Sequence, residues 1–152
     1  MEVRAAVASD ADEVVRLAAI MFESMGVDPA GTWADAGVRQ VTERLGADLA
    51  VFVVDHPNGA GRLVASAAGT VAQRLPGPSN PNGLAGYVQW VCVDPDYRRH
   101  GLARQVMSRL LAWYGDRGVG TIELHATPMA EQLYLSLGFG EAGGRALRRR
   151  AR

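Results

Sequence analysis

The sequence predicts an α/β (α+β) fold in a single domain over residues 1–152, built on a mixed central sheet that is antiparallel in its N-terminal part and ends in a parallel crossover. Three observations carry this. A strand-turn-strand pattern covers residues 49–73, a strand-helix-strand unit covers residues 87–126, and two amphipathic helices precede both, between Ala11 and Gly46. With 152 residues, 48% of them hydrophobic and 21% charged, the chain can bury one continuous core.

The elements follow in order. Val3 opens a short strand. Ser9, Asp10 and Asp12 offer caps to a helix from Ala11 to about Met25, in which Val14, Val15, Leu17, Ala18 and Met21 share one face. Gly26 and Pro29 stop it. Thr32 can cap a second helix, with Val38, Val41 and Leu45 on one side and Gly46 at its end. Leu49–Val54 reads as a strand, 55–61 as a turn, and Arg62–Gln73 as the antiparallel partner. Three prolines between Arg74 and Gly83 mark a surface loop, and Tyr87–Val93 is the next strand. Leu102, Val106, Leu110, Leu111 and Tyr114 recur at helical spacing before Gly118, and Thr121–Ala126 follows as a strand. Such a crossover pairs its strands in parallel and leaves the helix N-terminus facing a crevice. Pro128 starts a last helix through Leu137, and the residues after Phe139 leave room for one strand or a small hairpin.

Composition removes several function classes. Sixteen basic residues balance sixteen acidic ones, so no whole-molecule field draws the chain to nucleic acid or an anionic membrane. The arginines from Arg145 to Arg152 lack interleaved aromatics for base stacking and read as a solvated terminal strand. Cys92 is the single cysteine, which excludes an internal disulfide and fits a reducing compartment. No signal peptide opens the chain and no apolar run reaches membrane-spanning length, so a cytoplasmic protein without a resident metal is expected.

The stretch from Val91 to Ala103 carries the chemistry. It joins a strand to a helix through a basic loop containing Gly101. Amides at a helix N-terminus are unpaired and lie at the positive end of the helix dipole, so phosphate is their natural partner. Arg98, Arg99 and Arg104 add counter-charge, and the loop reads as a diphosphate cradle. It is neither a Walker loop, lacking the Lys-Ser/Thr pair, nor a G-x-G-x-x-G turn.

Arg98-x-x-Gly101-x-Ala103, after Val91-x-Val93-Asp94-Pro95, resembles the coenzyme A loop of the GCN5-related N-acetyltransferase superfamily. Ala130-x-x-Leu133-Tyr134-x-x-x-Gly138-Phe139 is similar to that superfamily's final helix. The resemblance spans about Met1 to Arg150 and implies helices on both faces of the sheet, with acetyl-coenzyme A as co-substrate. It implies that pantetheine runs along Val91, Cys92 and Val93, and that pyrophosphate rests on Arg98, Arg99, His100, Gly101, Leu102, Ala103 and Arg104. It places the thioester in a splayed gap between the Tyr87–Val93 and Thr121–Ala126 strands. Ala103 departs from the commoner glycine, and Thr127 stands where an asparagine often contacts pantetheine.

The resemblance further implies direct acetyl transfer to a primary amine, with Tyr134 as general acid for the departing thiolate and a backbone amide near Val93 polarising the carbonyl. For the base the sequence leaves His125 and Glu23 open, since Gln89 cannot take a proton. The two N-terminal helices and the 74–83 loop are expected to wall the amine pocket, with Met21, Phe22, Met25, Trp33 and Trp90 giving it an apolar entrance. A small-molecule acceptor and a homodimer are expected; a coenzyme A-binding sensor without turnover is the alternative.

Overall fold

The computed structural model describes residues 1–151. Five strands form one sheet in chain order: β1 (Val3–Ala5), β2 (Leu49–Asp55), β3 (Leu63–Gln73), β4 (Leu84–Val93) and β5 (Thr121–Glu123). The first three pairings are antiparallel and β4–β5 is parallel. The parallel pair is the crossover read from the sequence, its connection being α3 (Leu102–Asp116).

Alternation along the strands divides the core in two. Leu49, Val51 and Val53 of β2 face α1 (Ala11–Ser24) and α2 (Trp33–Arg44), where they pack with Val14, Leu17, Ala18 and Val41. Ala50, Phe52 and Val54 face the other way, onto Val106, Met107, Leu110 and Tyr114 of α3 and Tyr134 of α4 (Glu131–Ser136). Helices therefore cover both faces. α1 is also pinned to the start of β3: Glu13 accepts the Leu63 amide at 2.9 Å, and Arg16 donates to the Leu63 carbonyl at 2.9 Å.

Three expectations are corrected. Residues 139–151 form no helix or strand, and β5 is the sheet's last strand, so the terminal strand or hairpin is absent among the described residues. Gly140, Gly143 and Gly144 weaken extended pairing there, and Leu147, at 88% exposed, finds no core to join. Arg152, the last of the tail arginines, lies outside the described residues. β5 stops at Glu123 instead of Ala126, and α4 begins at Glu131 instead of Pro128. The 74–83 loop continues the β3–β4 turn, with Arg74 donating its amide to the Gly83 carbonyl at 2.8 Å.

Candidate active site

The site begins where β4 and β5 part. On one side β4 pairs with β3 from Leu84 to Val93; on the other it pairs with β5 only through Ala85, Gly86 and Tyr87. Beyond the Tyr87–Glu123 pair the strands diverge. Within the open segment, Trp90 and Val91 together oppose the single residue Ala67, a bulge in which Trp90 takes φ +54°. Asp94 donates its amide to the Val64 carbonyl on β3 at 2.8 Å, so strand alternation turns the Val93 N–H toward the gap.

The loop after β4 is built to stop and restart the chain. The Asp94 carboxylate accepts the Asp96 amide at 3.0 Å, Pro95 opens a single 3-10 turn, and Arg99 and Gly101 take φ +65° and +75°. Gly101 is the N-cap of α3, a conformation glycine adopts at least cost, and a Cβ there would meet nothing within 4 Å. The first turn of α3 holds no acidic residue, and its unpaired amides face the same opening as Arg98, Arg99 and Arg104. Arg98 is steadied by the Val93 carbonyl at 3.3 Å and the Ser24 hydroxyl at 3.2 Å, and Arg104 by the Ser136 hydroxyl at 2.6 Å. A dianionic diphosphate group matches this donor set, and the open edge of β4 offers amides to a linear amide chain.

These features enclose a cavity of about 850 Å³. Val91, Cys92, Val93, Arg98, Arg99, Gly101, Leu102, Ala103, Arg104, His125 and Tyr134 all line it. Met21, Phe22, Met25 and Trp90 line it too. His100 is exposed in the same loop without lining the cavity, and Glu23 is exposed on α1 between Phe22 and Ser24, which do line it. A second cavity of about 300 Å³ lies between α2 and the sheet and includes Trp33, Gln40, Arg44 and Thr70. Tyr87, Gln89 and Trp90 belong to the walls of both. No residue of the 74–83 loop lines either cavity, which corrects the expected amine-pocket wall: Asn82 fastens that loop to the Gly118 carbonyl at 2.8 Å, at the far end of β4.

Proton chemistry is distributed unevenly. Tyr134 is 8% exposed with its ring edge-on to Phe139, and burial, with the neighbouring Cys92 adding to it, holds its phenol above the ordinary range. Burial likewise pushes the Cys92 thiol up to about 12, against the smaller opposing effects of Ser66 and Arg98, so it is no nucleophile at neutral pH. His125 is exposed, and its Nδ1 lies 2.6 Å from the Tyr87 hydroxyl. Among the described residues no three or more His, Cys, Asp or Glu side chains gather as a metal site, and no helix is long and apolar enough to cross a membrane.

Sequence reasoning missed Tyr87, Tyr97, Ser24 and the α2 side chains Gln40 and Arg44. Tyr87 could have been suspected from its placement two residues before Gln89, on the same strand face, and Tyr97 from its place inside the Val91 to Ala103 stretch; the others have no local signal, because helix packing brings them in.

The acetyltransferase (GNAT) domain model matches residues 47–141. A GCN5-related N-acetyltransferase from Ralstonia eutropha superposes with a TM-score of 0.84 at 26% identity, covering 97% of both chains. A predicted acetyltransferase from Clostridium acetobutylicum, crystallised with acetyl-CoA, has the same fold, with a TM-score of 0.87 at 21% identity over 97% of this chain and 95% of that one. Among curated proteins, the ribosomal protein bS18-alanine N-acetyltransferase of Escherichia coli is 44% identical over 55 residues, 34% of this chain and 37% of that protein's length. With the motif loop, the splayed strands and the matched domain in agreement, the chain belongs to the GCN5-related N-acetyltransferase (GNAT) family.

Proposed function

We propose that this chain acetylates the primary amine of a small-molecule acceptor by direct transfer, with donor and acceptor bound together. The observation that carries this reading is the shared wall: a large basic-mouthed cavity and a small one meet at Tyr87, Gln89 and Trp90, beside the β4 bulge. Holding two reactants on either side of one point replaces a bimolecular encounter by an intramolecular one. The small cavity, about 300 Å³, suits a compact group better than a folded surface.

The donor would rest on the α3 N-terminus, Arg98, Arg99 and Arg104, with its arm along Val91 and Val93. When bound, acetyl-coenzyme A supplies an activated acetyl thioester and a thiolate leaving group. The Val93 N–H, turned toward the gap between the strands, would hold negative charge at the carbonyl oxygen. Tyr134, kept protonated by burial, delivers its phenolic proton to the departing sulfur. His125 serves as the base that takes the proton from the amine. Glu23, exposed and outside both cavities, has no part in this scheme.

A second reading is favoured by the stretch of 44% identity to a ribosomal protein bS18-alanine N-acetyltransferase: the acceptor is then an amine of a polypeptide. One experiment separates these. Release of free coenzyme A thiol is followed against small monoamines, an aminoglycoside and a peptide beginning with alanine. The chain contains no lysine, so internal lysine acetylation adds no background. The expected result is turnover with a small monoamine, a fall in kcat of about 100-fold or more in Tyr134→Phe, and loss of acetyl-coenzyme A binding in Gly101→Glu. Turnover confined to the peptide selects the second reading; tight binding with no turnover on any amine selects the sensor alternative.

A further inference from the structure

The smaller cavity has neither a carboxylate nor a histidine among its lining residues. An ammonium group entering it therefore finds no base in the wall itself. Tyr87 is the lining residue tied to one, its hydroxyl standing 2.6 Å from His125 Nδ1.

Register explains the placement. Leu49, Thr70, Tyr87 and Glu123 oppose one another across β2, β3, β4 and β5, and directly opposed residues project from the same face. Leu49 packs with α1 and α2, so Tyr87 stands on the α2 face beside Thr70 and the small cavity. His125 lies two residues beyond Glu123, on the same side of the splayed chain. Glu123 is exposed on that face, and Arg44, which lines the small cavity, is paired with the Asp48 carboxylate at 2.8 Å. From the opposite face Tyr114 donates its hydroxyl to the carbonyls of Thr70 and Tyr87, at 3.0 and 3.2 Å. The Tyr87 main chain is thus fixed where the two strands separate.

The geometry points to Tyr87 as the relay through which an amine in the small cavity loses its proton to His125. This rests on the acetyl-transfer reading and extends it to a residue and a route. In the relay the N–H bond of the ammonium breaks as the Tyr87 oxygen takes that proton. The phenol's own proton passes to His125 Nδ1. The products are a neutral amine, a restored phenol and an imidazolium, and His125, being exposed, returns the proton to water. His125 starts with Nδ1 bare and Nε2 protonated, so that the phenol donates toward it.

The test compares wild type, Tyr87→Phe, His125→Ala and the double variant on the best monoamine. A fall of about 100-fold in kcat/KM for the amine is expected in each single variant, with KM for acetyl-coenzyme A within about twofold, and the double variant no worse than either single one. Imidazole restores His125→Ala but not Tyr87→Phe. A weakly basic amine, already neutral at the assay pH, escapes most of the defect. In the unliganded protein, nitrogen NMR of His125 reports Nδ1 as a hydrogen-bond acceptor, a signature that Tyr87→Phe removes. Thermal unfolding confirms that Tyr87→Phe is folded, as expected because Tyr114 bonds the Tyr87 carbonyl and not its side chain. Wild-type turnover that Tyr87→Phe leaves intact, single defects that multiply in the double variant, or equal loss on the weakly basic amine overturns the relay alone. Absence of turnover on every amine in the wild type brings down the acetyl-transfer reading and the relay with it.

Discussion

The main chain on which the two cavities meet is set from beneath by one side chain, and this can be measured. Tyr114 is fully buried against β3 and β4 at Gly69 and Gly86. A Cβ on Gly69 would lie 2.4 Å from the Tyr114 hydroxyl oxygen and 2.8 Å from Leu110 Cδ1; one on Gly86 would lie 2.5 and 2.7 Å from Tyr114 ring carbons. Neither neighbour can swing aside, because both are in the packed core. Gly69→Ala and Gly86→Ala should each cost about 3 kcal/mol, the upper end for an added methyl in a close-packed interior. Tyr114→Phe removes a donor shared by two half-buried carbonyls and should cost about 1.5 kcal/mol. The combinations discriminate. Removing the hydroxyl relieves the nearest contact of Gly69→Ala, so that pair should fall short of additivity by about 1 kcal/mol, whereas Gly86→Ala meets ring carbons that phenylalanine retains and should combine additively. Urea unfolding of the six proteins, with m-values held equal, provides the numbers. Coupling of the same size in both cycles, or a Gly69→Ala variant within 0.5 kcal/mol of wild type, would refute this account of how the sheet is seated.

Two further predictions concern the site. The Cys92 thiol, pushed up to about 12 from an ordinary value of 9.0, keeps its proton in the folded chain while the unfolded chain loses it, so this contribution is complete below pH 9 and declines above it, by about 1.4 kcal/mol at pH 10; Cys92→Ala should flatten the stability curve between pH 8.5 and 10 in urea titrations, and parallel curves would count against it. Gly101→Ala forces a Cβ into φ +75° and should cost about 1 kcal/mol in stability while leaving acetyl-coenzyme A binding within a few-fold by calorimetry, because the space around that position is open; loss of binding equal to that of Gly101→Glu would mean the added bulk, not the charge, blocks the cradle.

What the sequence disclosed and what it hid differ by range along the chain. The 102–116 helix and the strands flanking it were legible because burial on one face imposes a local period, and the loop before that helix stood out because arginines and Gly101 gather where a strand gives way to a helix. The first residues of β4, Leu84 to Gly86, lie between the proline-containing loop and the strand read from the sequence and carried no assignment; pairing with β3, and of Ala85 and Gly86 with β5, makes them strand. The terminal strand failed for the opposite reason, since room and an open β5 edge do not suffice without side chains to bury. Tyr87 was hidden because its importance lies in register, and register is a property of four strands together.

That same register explains why the site is where it is. Gly86 allows Tyr114 to press against β4 one residue before the last β4–β5 pair, and the bulge at Trp90 and Val91 follows three residues later. β4 stays joined to β3 while its pairing with β5 ends at Tyr87, and the residues common to the two cavities, Tyr87, Gln89 and Trp90, run from that last pair to the bulge. On the proposed reading, a donor along the open edge and an acceptor from the α2 face meet at Tyr87, Gln89 and Trp90. The proposed relay follows from the composition of that wall: Gln89 has no acid–base function and Trp90 no basic nitrogen, whereas the Tyr87 hydroxyl lies 2.6 Å from His125 Nδ1.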